Sequence, residues 1–274
     1  MCDSSVQRTD HEPVFCANTS LFLKTPPVLT EQFLEHRGCT IHYWTVGRED
    51  RPLIVFLHGA LMDHRMFNAQ VAHFAADYRI LVWDARGHGQ SRPVGLSSLS
   101  INDYVDDMLA ILDRQHARTV FLVGQSMGAY IAQHLVRREP QRCQALVIIG
   151  STPIAVSVNA FELAALRLST TFYRVWPLQS LINLIARTTT VKADVAAYVR
   201  DVLQQIDRQT MITIWSAVIT AICREGCPDF TINIPLLLTH GEQDITGPSA
   251  AVGSLGSENP ISGYSRRRAQ RQSG

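Results

Sequence analysis

Short apolar runs alternate with amphipathic segments along most of this chain. Runs that are apolar on both faces predict buried strands, and apolar positions at helical spacing predict helices. The predicted strands are Thr40–Val46, Pro52–Leu57, Ile80–Trp83, Val120–Val123, Ala145–Ile149 and Ile234–Thr239. The predicted helices are 64–76, a segment capped by Asn102 that runs to about His116, and 129–138. Because strands and helices alternate, we predict an α/β fold with a mostly parallel sheet flanked by helices.

The same pattern divides the chain into segments. We expect residues 1–30 to form a loose leader and residues 31–150 to form the first part of the α/β core. Residues 151–229 break the alternation with periodic apolar positions and begin at the C-terminal end of a strand, where open α/β sheets bind ligands. We therefore expect this segment to be an inserted helical cap. Residues 230–246 return to the core with the last recognisable strand, and the Gly-, Ser- and Arg-rich residues 247–274 predict a disordered tail.

Composition narrows the possible partners. The formal net charge of +1 gives no general attraction to nucleic acids or to anionic membranes. No apolar run reaches transmembrane length, and the first residues lack the basic start and apolar core of a secretory signal. The six cysteines follow no disulfide or metal-binding pattern. We expect a cytoplasmic protein with reduced thiols, a small-molecule substrate, no metal, and no nucleic-acid or membrane partner.

The most informative motif is Gly124-Gln-Ser-Met-Gly128, which lies between a predicted strand and a predicted helix. A Gly-x-Ser-x-Gly sequence in that setting is typical of a sharp turn that presents a nucleophilic serine, here Ser126. Gly124 and Gly128 have no Cβ atoms to clash where the turn brings the two backbones together. The N-terminus of the following helix directs free N–H groups toward any anion that forms beside the serine.

Four motifs together resemble those of the α/β-hydrolase superfamily, in its cap-bearing group of small serine hydrolases. The resemblance covers roughly residues 38–246. The motifs, in the order that the family shows, are His58-Gly59-Ala-Leu-Met-Asp63, Asp84-Ala-Arg-Gly-His-Gly-Gln-Ser91, Gly124-Gln-Ser-Met-Gly128 and His240-Gly-Glu-Gln-Asp244. The resemblance implies acyl transfer on a serine under a cap, with neither a metal nor an organic cofactor.

Site residues follow from this resemblance. The oxyanion hole would be formed by the backbone N–H groups of Ala60 and Met127, with Leu61 as the neighbour to consider. In the family, the loop that carries Arg86 and His88 is structural: its glycines permit tight turns, and the arginine ties backbone segments together. His88 is therefore not expected to transfer protons.

The resemblance also implies an acid and a histidine base that act with the serine, and the sequence provides a candidate for the acid only. Asp244 follows a strand end by a short loop, the place of the acid in this family, and Glu242 is its local competitor. The family places its histidine after the acid, but the last histidine here is His240. No catalytic histidine is therefore found. The family's C-terminal strand, helix and histidine segment is expected to be missing or replaced, because the composition changes after Pro248.

The sequence thus favours a serine hydrolase for a small apolar ester, lactone or C–C substrate, with activity impaired by the lack of a base. One alternative is a catalytically silent small-molecule-binding protein with the same fold. Another is a chain with no stable fold, since losing the last strand would leave a hydrophobic strand edge unpaired.

Overall fold

The computed structural model of this chain describes residues 27–155, 160–190, 192–224 and 230–239. Within these residues, one sheet contains seven strands. They are β1 (Thr30–His36), β2 (Cys39–Val46), β3 (Leu53–Leu57), β4 (Arg79–Trp83), β5 (Val120–Gln125), β6 (Cys143–Ile149) and β7 (Leu236–Thr239).

Strands β1, β2 and β3 follow one another directly, and from β3 to β6 strands and helices alternate. The helices are α1 (Asn68–Phe74), α2 (Ile101–Arg114), α3 (Met127–Arg138), α4 (Ala160–Val175), α5 (Leu178–Thr189), α6 (Ala193–Gln204) and α7 (Arg208–Arg224). Short 3-10 helices cover His64–Phe67 and Pro140–Arg142. None of the helices in the described residues is long and apolar enough to cross a membrane.

The strand order in the sheet is β1-β2-β4-β3-β5-β6-β7. From β4 to β7 all neighbouring strands are parallel, whereas β1 and β2 add an antiparallel edge. The chain passes from β3 to β4 on one side and then returns to place β5 on the other side of β3. The point where the strand order reverses therefore lies between the C-terminal ends of β3 and β5, and this is where open α/β sheets bind ligands.

Strand β3 shows why the sheet needs helices on both faces. Leu53, Val55 and Leu57 belong to the hydrophobic cluster that contains the buried residues of α2 and α3. Ile54 and Phe56 point to the opposite face and join the cluster formed with α1. All of these residues are buried, as expected for a parallel strand covered on both sides. The predicted fold class is therefore confirmed.

Two local expectations differ from the structure. The N-cap of α2 is Ser100 rather than Asn102: its hydroxyl accepts from the Asp103 N–H, and the Asp103 carboxylate accepts from the Ser100 N–H. This reciprocal capping box satisfies two backbone donors, which Asn102 inside the first turn does not do. Strand β1 was not assigned from the sequence, because Thr30–His36 alternates exposed and half-buried positions and has no continuous apolar run.

Between β6 and β7 the described residues form four helices, α4, α5, α6 and α7, with non-helical residues before, between and after them. The predicted leader and tail fall largely or wholly outside the described residues. His240, Glu242 and Asp244 also lie outside them.

Candidate active site

Ser126 occupies a strained turn between β5 and α3. Its φ of 51° and ψ of −114° belong to a backbone region that residues with a side chain rarely adopt. Such a conformation costs on the order of 1–3 kcal/mol and persists only where the surrounding structure fixes it. The side chain of Ser126 is partly exposed. The backbone therefore makes a sharp, strained turn (the elbow) from strand to helix with Ser126 at its centre.

Hydrogen bonds on both sides hold the turn in place. The Ser126 N–H donates to the Ile149 carbonyl at the end of β6, at 3.0 Å. The Ser126 carbonyl accepts from the N–H groups of Ala129 and Tyr130, at 2.9 and 3.2 Å. The backbone of the elbow is therefore tied to the neighbouring strand and to the first turn of α3.

Glycines permit the close approach of strand and helix. A Cβ atom at Gly124 would lie 2.4 Å from the Gly128 carbonyl oxygen, and one at Gly128 would lie 2.0 Å from the Leu57 carbonyl oxygen. These distances are far shorter than any ordinary van der Waals contact. The glycines flanking Ser126 are thus required by the crossing of β5, α3 and β3.

The loop after β3 lies beside the elbow, because Leu57 pairs with Gly124 in the sheet. Its Gly59 approaches Gln125, the residue before the serine, so closely that a Cβ atom would lie 2.0 Å from the Gln125 side-chain oxygen. Leu61 in this loop has a φ of 64°, a strained value for a bulky residue.

The backbone N–H groups of Ala60 and Met127 follow the C-terminal ends of β3 and β5. Neither donates a hydrogen bond to the described part of the chain. Met127 is the first residue of α3, where N–H groups have no partner inside the helix and carry part of the helix's positive end. The structure thus places Ser126, Ala60 and Met127 at the point where the strand order reverses.

His58 is a structural residue. Its ring is buried, Nδ1 lies 2.8 Å from the Gly59 carbonyl oxygen, and Nε2 accepts from the Ala85 N–H at 2.9 Å. Both ring nitrogens therefore have partners, and burial lowers the pKa of His58. A neutral imidazole with both nitrogens engaged cannot accept a proton from a serine.

His88 packs behind His58, with ring centroids 4.9 Å apart. Its Nδ1 faces the carbonyl oxygens of Ala85 and Arg86 at 3.2 and 3.1 Å. Burial, followed by the neighbouring His58, lowers the pKa of His88 to about 3. The ring is fully buried, and its Nε2 has no hydrogen-bond partner, Ser126 included, in the described part of the chain.

Within the described residues, no histidine forms a hydrogen bond with Ser126. Three other histidines have carboxylate partners elsewhere. His36 contacts Asp107, His42 contacts Glu31 and His64 contacts Asp84, all through Nδ1. The described part of the chain therefore brings together Ser126 and the N–H groups of Ala60 and Met127, and none of its histidines is hydrogen-bonded to that serine.

The loop after β4 is held by charged side chains. Burial would raise the pKa of Asp84, but hydrogen bonds from His64 and from the Gln90 N–H outweigh it and lower that pKa. Arg86 forms a buried two-pronged ion pair with Asp107, at 2.6 and 2.9 Å. Its remaining N–H groups donate to three backbone carbonyls, those of His36, Arg37 and Val94. Through Arg86 this loop therefore connects α2, the turn between β1 and β2, and the chain around Val94.

Helix α3 also anchors the segment that leads into the helical insert. The Tyr130 hydroxyl lies 3.0 Å from the Thr152 hydroxyl. The Gln133 side chain donates to the Thr152 carbonyl and accepts from the Ile154 N–H. These contacts were missed in the sequence, because Tyr130 and Gln133 have no distinguishing motif on an amphipathic helix.

A second link joins the insert to the loop after β3. The hydroxyl of Tyr198 on α6 donates to the Asp63 carboxylate at 3.0 Å. Arg65 bridges Asp63 and Asp201, the latter also on α6. Sequence reasoning missed this cluster too, since residues 63 and 198 are far apart in the chain and neither lies in a recognisable pair motif.

In the described residues, no group of three or more His, Cys, Asp or Glu side chains could hold a metal ion.

Comparison with known proteins adds the family. Residues 48–260 match the family described as serine aminopeptidase, S33. The chain is 32% identical over 121 residues to the AB hydrolase superfamily protein YfhM of Bacillus subtilis, which is 43% of this chain and 42% of that protein. It is 28% identical over 133 residues to 3-oxoadipate enol-lactonase 2 of Acinetobacter baylyi, or 48% of this chain and 49% of the lactonase. The chain thus spans about half the length of these curated relatives.

Solved structures share the fold. The enol-lactonase from Burkholderia xenovorans superimposes with a TM-score of 0.65 at 23% identity, over 77% of this chain and 81% of the lactonase. A hydrolase from Pseudomonas aeruginosa gives a TM-score of 0.63 at 18% identity, over 82% of this chain and 96% of the hydrolase. At these identities the likeness establishes the architecture of the sheet and its helices.

Proposed function

Since the chain belongs to the serine aminopeptidase S33 family of the α/β-hydrolase superfamily, we propose that it is a serine hydrolase with Ser126 as its nucleophile. One observation carries the proposal: the strained φ of Ser126, at the point where the strand order reverses. Strain of this kind is retained where it serves a function.

The proposed reaction is acyl transfer. The Ser126 Oγ attacks the substrate carbonyl carbon, and the carbonyl oxygen becomes an anion that accepts hydrogen bonds from the N–H groups of Ala60 and Met127. The Ser126 hydroxyl proton leaves to solvent, the C–O bond to the leaving alcohol breaks as the alcohol takes a proton from solvent, and water then hydrolyses the acyl-enzyme, which returns the proton to the Ser126 Oγ. Each oxyanion donor contributes about 3 kcal/mol to lowering such a barrier.

The substrate that we propose is a small apolar ester or lactone. A substrate cleaved at a C–C bond is the alternative. The relatives named as enol-lactonases support the first. Asp244 is the proposed acid, from the sequence motif alone. A cytoplasmic location and a helical cap over Ser126 also stay predictions from the sequence.

We further infer that the 274-residue chain turns over slowly. It contains no histidine after His240, and no described histidine contacts Ser126. In a serine protease, removing the catalytic histidine lowers kcat by about 10⁶. The same observation favours a second candidate function, a silent small-molecule binder that keeps the pocket without turnover.

Labelling with a fluorophosphonate probe tests the nucleophile. We expect slow phosphonylation of Ser126, located by peptide mass spectrometry and absent in Ser126→Ala. Ser151→Ala is the matched control, because Ser151 lies just beyond the end of neighbouring β6 and its buried hydroxyl has no partner in the described part of the chain. Labelling that persists in Ser126→Ala would contradict the assignment. Ligand binding without any labelling would favour the silent binder.

A further inference from the structure

We propose that Tyr198 is a positioning residue: through Asp63 it holds the Gly59–Asp63 loop, and with it the Ala60 amide, in the geometry that acyl transfer requires. The inference rests on the proposed function. It gives the helical insert a role in building the oxyanion hole.

The contact between the insert and the loop is direct. The Tyr198 hydroxyl donates to the Asp63 carboxylate at 3.0 Å and accepts from the Asp63 backbone N–H at 3.4 Å. Asp63 is only 4% exposed. A hydrogen bond to a buried carboxylate is among the stronger contacts in a protein, because the charged acceptor has little water to replace its partner. Burial, together with the nearby charge of Asp63, raises the pKa of Tyr198, so the hydroxyl keeps its proton.

Arg65 extends the contact into a clamp. It donates to the Asp63 carboxylate through Nε and Nη2, at 2.9 and 2.7 Å, and reaches the Asp201 carboxylate at 3.0 Å. Its guanidinium also lies 5.5 Å from the centre of the Tyr198 ring. Tyr198 and Asp201 are three residues apart and therefore lie on one face of α6. That face of α6 is held against the start of the 3-10 helix that follows the loop.

The loop is fixed at both of its ends. At the start, His58 contacts the Gly59 carbonyl and the Ala85 N–H, so this end is tied to the core. At the other end, Asp63 caps the 3-10 helix by accepting from the Arg65 N–H. Tyr198 supplies the contact from the insert to that second end. A shift of α6 would therefore be transmitted to the loop.

Because the loop contains a strained residue, its conformation depends on the contact between Tyr198 and Asp63. Leu61 lies between the two fixed ends with a φ of 64°, and the Met62 N–H closes a turn onto the Gly59 carbonyl at 3.2 Å. A bulky residue leaves such a conformation when the restraints weaken. Leu61 lies between Ala60 and the Asp63 end of the loop, so relaxation of Leu61 would shift the backbone between the two fixed ends and, with it, the Gly59–Ala60 peptide that carries the Ala60 N–H.

Hydrogen exchange tests the coupling without requiring turnover. In Tyr198→Phe, we expect peptides covering residues 59–66 to exchange about tenfold faster, the effect of losing one charge-assisted hydrogen bond. Peptides from β4 and β5 should not change. Tyr173→Phe is the matched control: Tyr173 also belongs to the insert and stacks on Trp215, but its hydroxyl makes no hydrogen bond to the described part of the chain. Unchanged exchange at 59–66 in Tyr198→Phe would overturn the proposal.

Binding of phenylethylboronic acid tests the consequence for the site. This probe adds its boron to a serine oxygen, the hydroxyl proton leaves to solvent, and the adduct mimics the tetrahedral intermediate. We expect the dissociation constant to rise about tenfold in Tyr198→Phe and to stay unchanged in Tyr173→Phe. An equal dissociation constant in Tyr198→Phe would overturn the positioning role. Absence of binding to the unmodified chain would count against the proposed function, and the exchange experiment would then decide the coupling alone.

Discussion

Gly128 and Leu57 approach each other so closely that a Cβ atom on Gly128 would lie 2.0 Å from the Leu57 carbonyl oxygen. Gly128 belongs to the first turn of α3 and Leu57 ends β3, so this contact sets how near the helix lies to the strand. The position of the Ser126 elbow relative to the loop after β3 depends on this distance. Gly128 therefore belongs to the motif around Ser126 and is also required for the packing of α3 on β3.

Gly128→Ala should destabilise the protein. The added methyl group meets backbone rather than a movable side chain, so α3 or β3 has to shift, at a cost of about 3 kcal/mol or more. Urea denaturation measures the change in the free energy of unfolding. Ala164→Gly, at an exposed position of α4, is the control and should cost only about 1 kcal/mol, from helix propensity. Stability of Gly128→Ala equal to that of the unmodified chain would contradict the packing.

Replacing Ser126 with glycine should give a more stable protein than replacing it with alanine. Both variants remove the hydroxyl, but only glycine adopts a φ of 51° without strain. Strain relief of about 1–3 kcal/mol exceeds the cost of about 0.5–1 kcal/mol for ordering a glycine. The difference in the free energy of unfolding between the two variants isolates the strain. If Ser126→Ala proves the more stable, the elbow is not strained.

Asp107→Asn should destabilise the protein by about 3–5 kcal/mol, because it leaves the buried guanidinium of Arg86 without its countercharge. Both side chains of this pair are completely buried. Arg48 and Asp50 form the matched control, since their ion pair is exposed to solvent. We expect Asp50→Asn to leave the urea midpoint within experimental error. Equal effects of the two substitutions would contradict a bracing role for Arg86.

The buried histidines should make the protein sensitive to acid. Burial lowers the pKa of His58, and it lowers the pKa of His88 to about 3. An unfolded histidine has a pKa of about 6.5. As the pH falls below that value, the unfolded chain binds protons that the folded chain does not. The stability that these neutral rings contribute is therefore present above about pH 6.5 and is lost as the pH falls toward 3.

His88→Asn should reduce this loss. Well below pH 6.5 each buried neutral histidine adds about 1.4 kcal/mol per pH unit to the slope of the unfolding free energy. Urea denaturation between pH 6 and pH 4 measures the slope, and the variant should lack one such contribution. His73→Asn, on the exposed part of α1, is the control and should leave the slope unchanged. An identical slope in His88→Asn would show that His88 is protonated in the folded state.

The sequence was sufficient for the parts of the site that depend on local pattern. The turn at Ser126 needs a strand, two glycines and a helix in succession. Each of these has a sequence pattern that can be recognised within about ten residues. The parallel sheet covered by helices followed from the alternation of strands and helices, whereas the pairing of β3 with β5 was not predicted. The family resemblance supplied Ala60, which no local chemistry singles out.

Contacts between distant segments were not predictable in the same way. Asp63 and Tyr198 meet only because α6 folds back over the loop after β3, and no spacing in the sequence encodes that approach. The N-cap of α2 was misplaced by two residues, since Ser100 and Asn102 are both good capping residues and the capping box decides between them. Strand β1 was missed because its pairing with β2, rather than its own apolar content, makes it a strand.

Steady-state hydrolysis of p-nitrophenyl acetate, with Ser126→Ala as the background, tests the central claim most directly. Ser126 is proposed as a nucleophile without a base, so the Ser126-dependent rate of the 274-residue chain should lie far below about 10 s⁻¹, a typical enzyme turnover. Free imidazole should raise that rate in a saturable way by accepting the hydroxyl proton. A Ser126-dependent rate near 10 s⁻¹ without imidazole would contradict the missing base. No Ser126-dependent rate at any imidazole concentration would contradict Ser126 as the nucleophile.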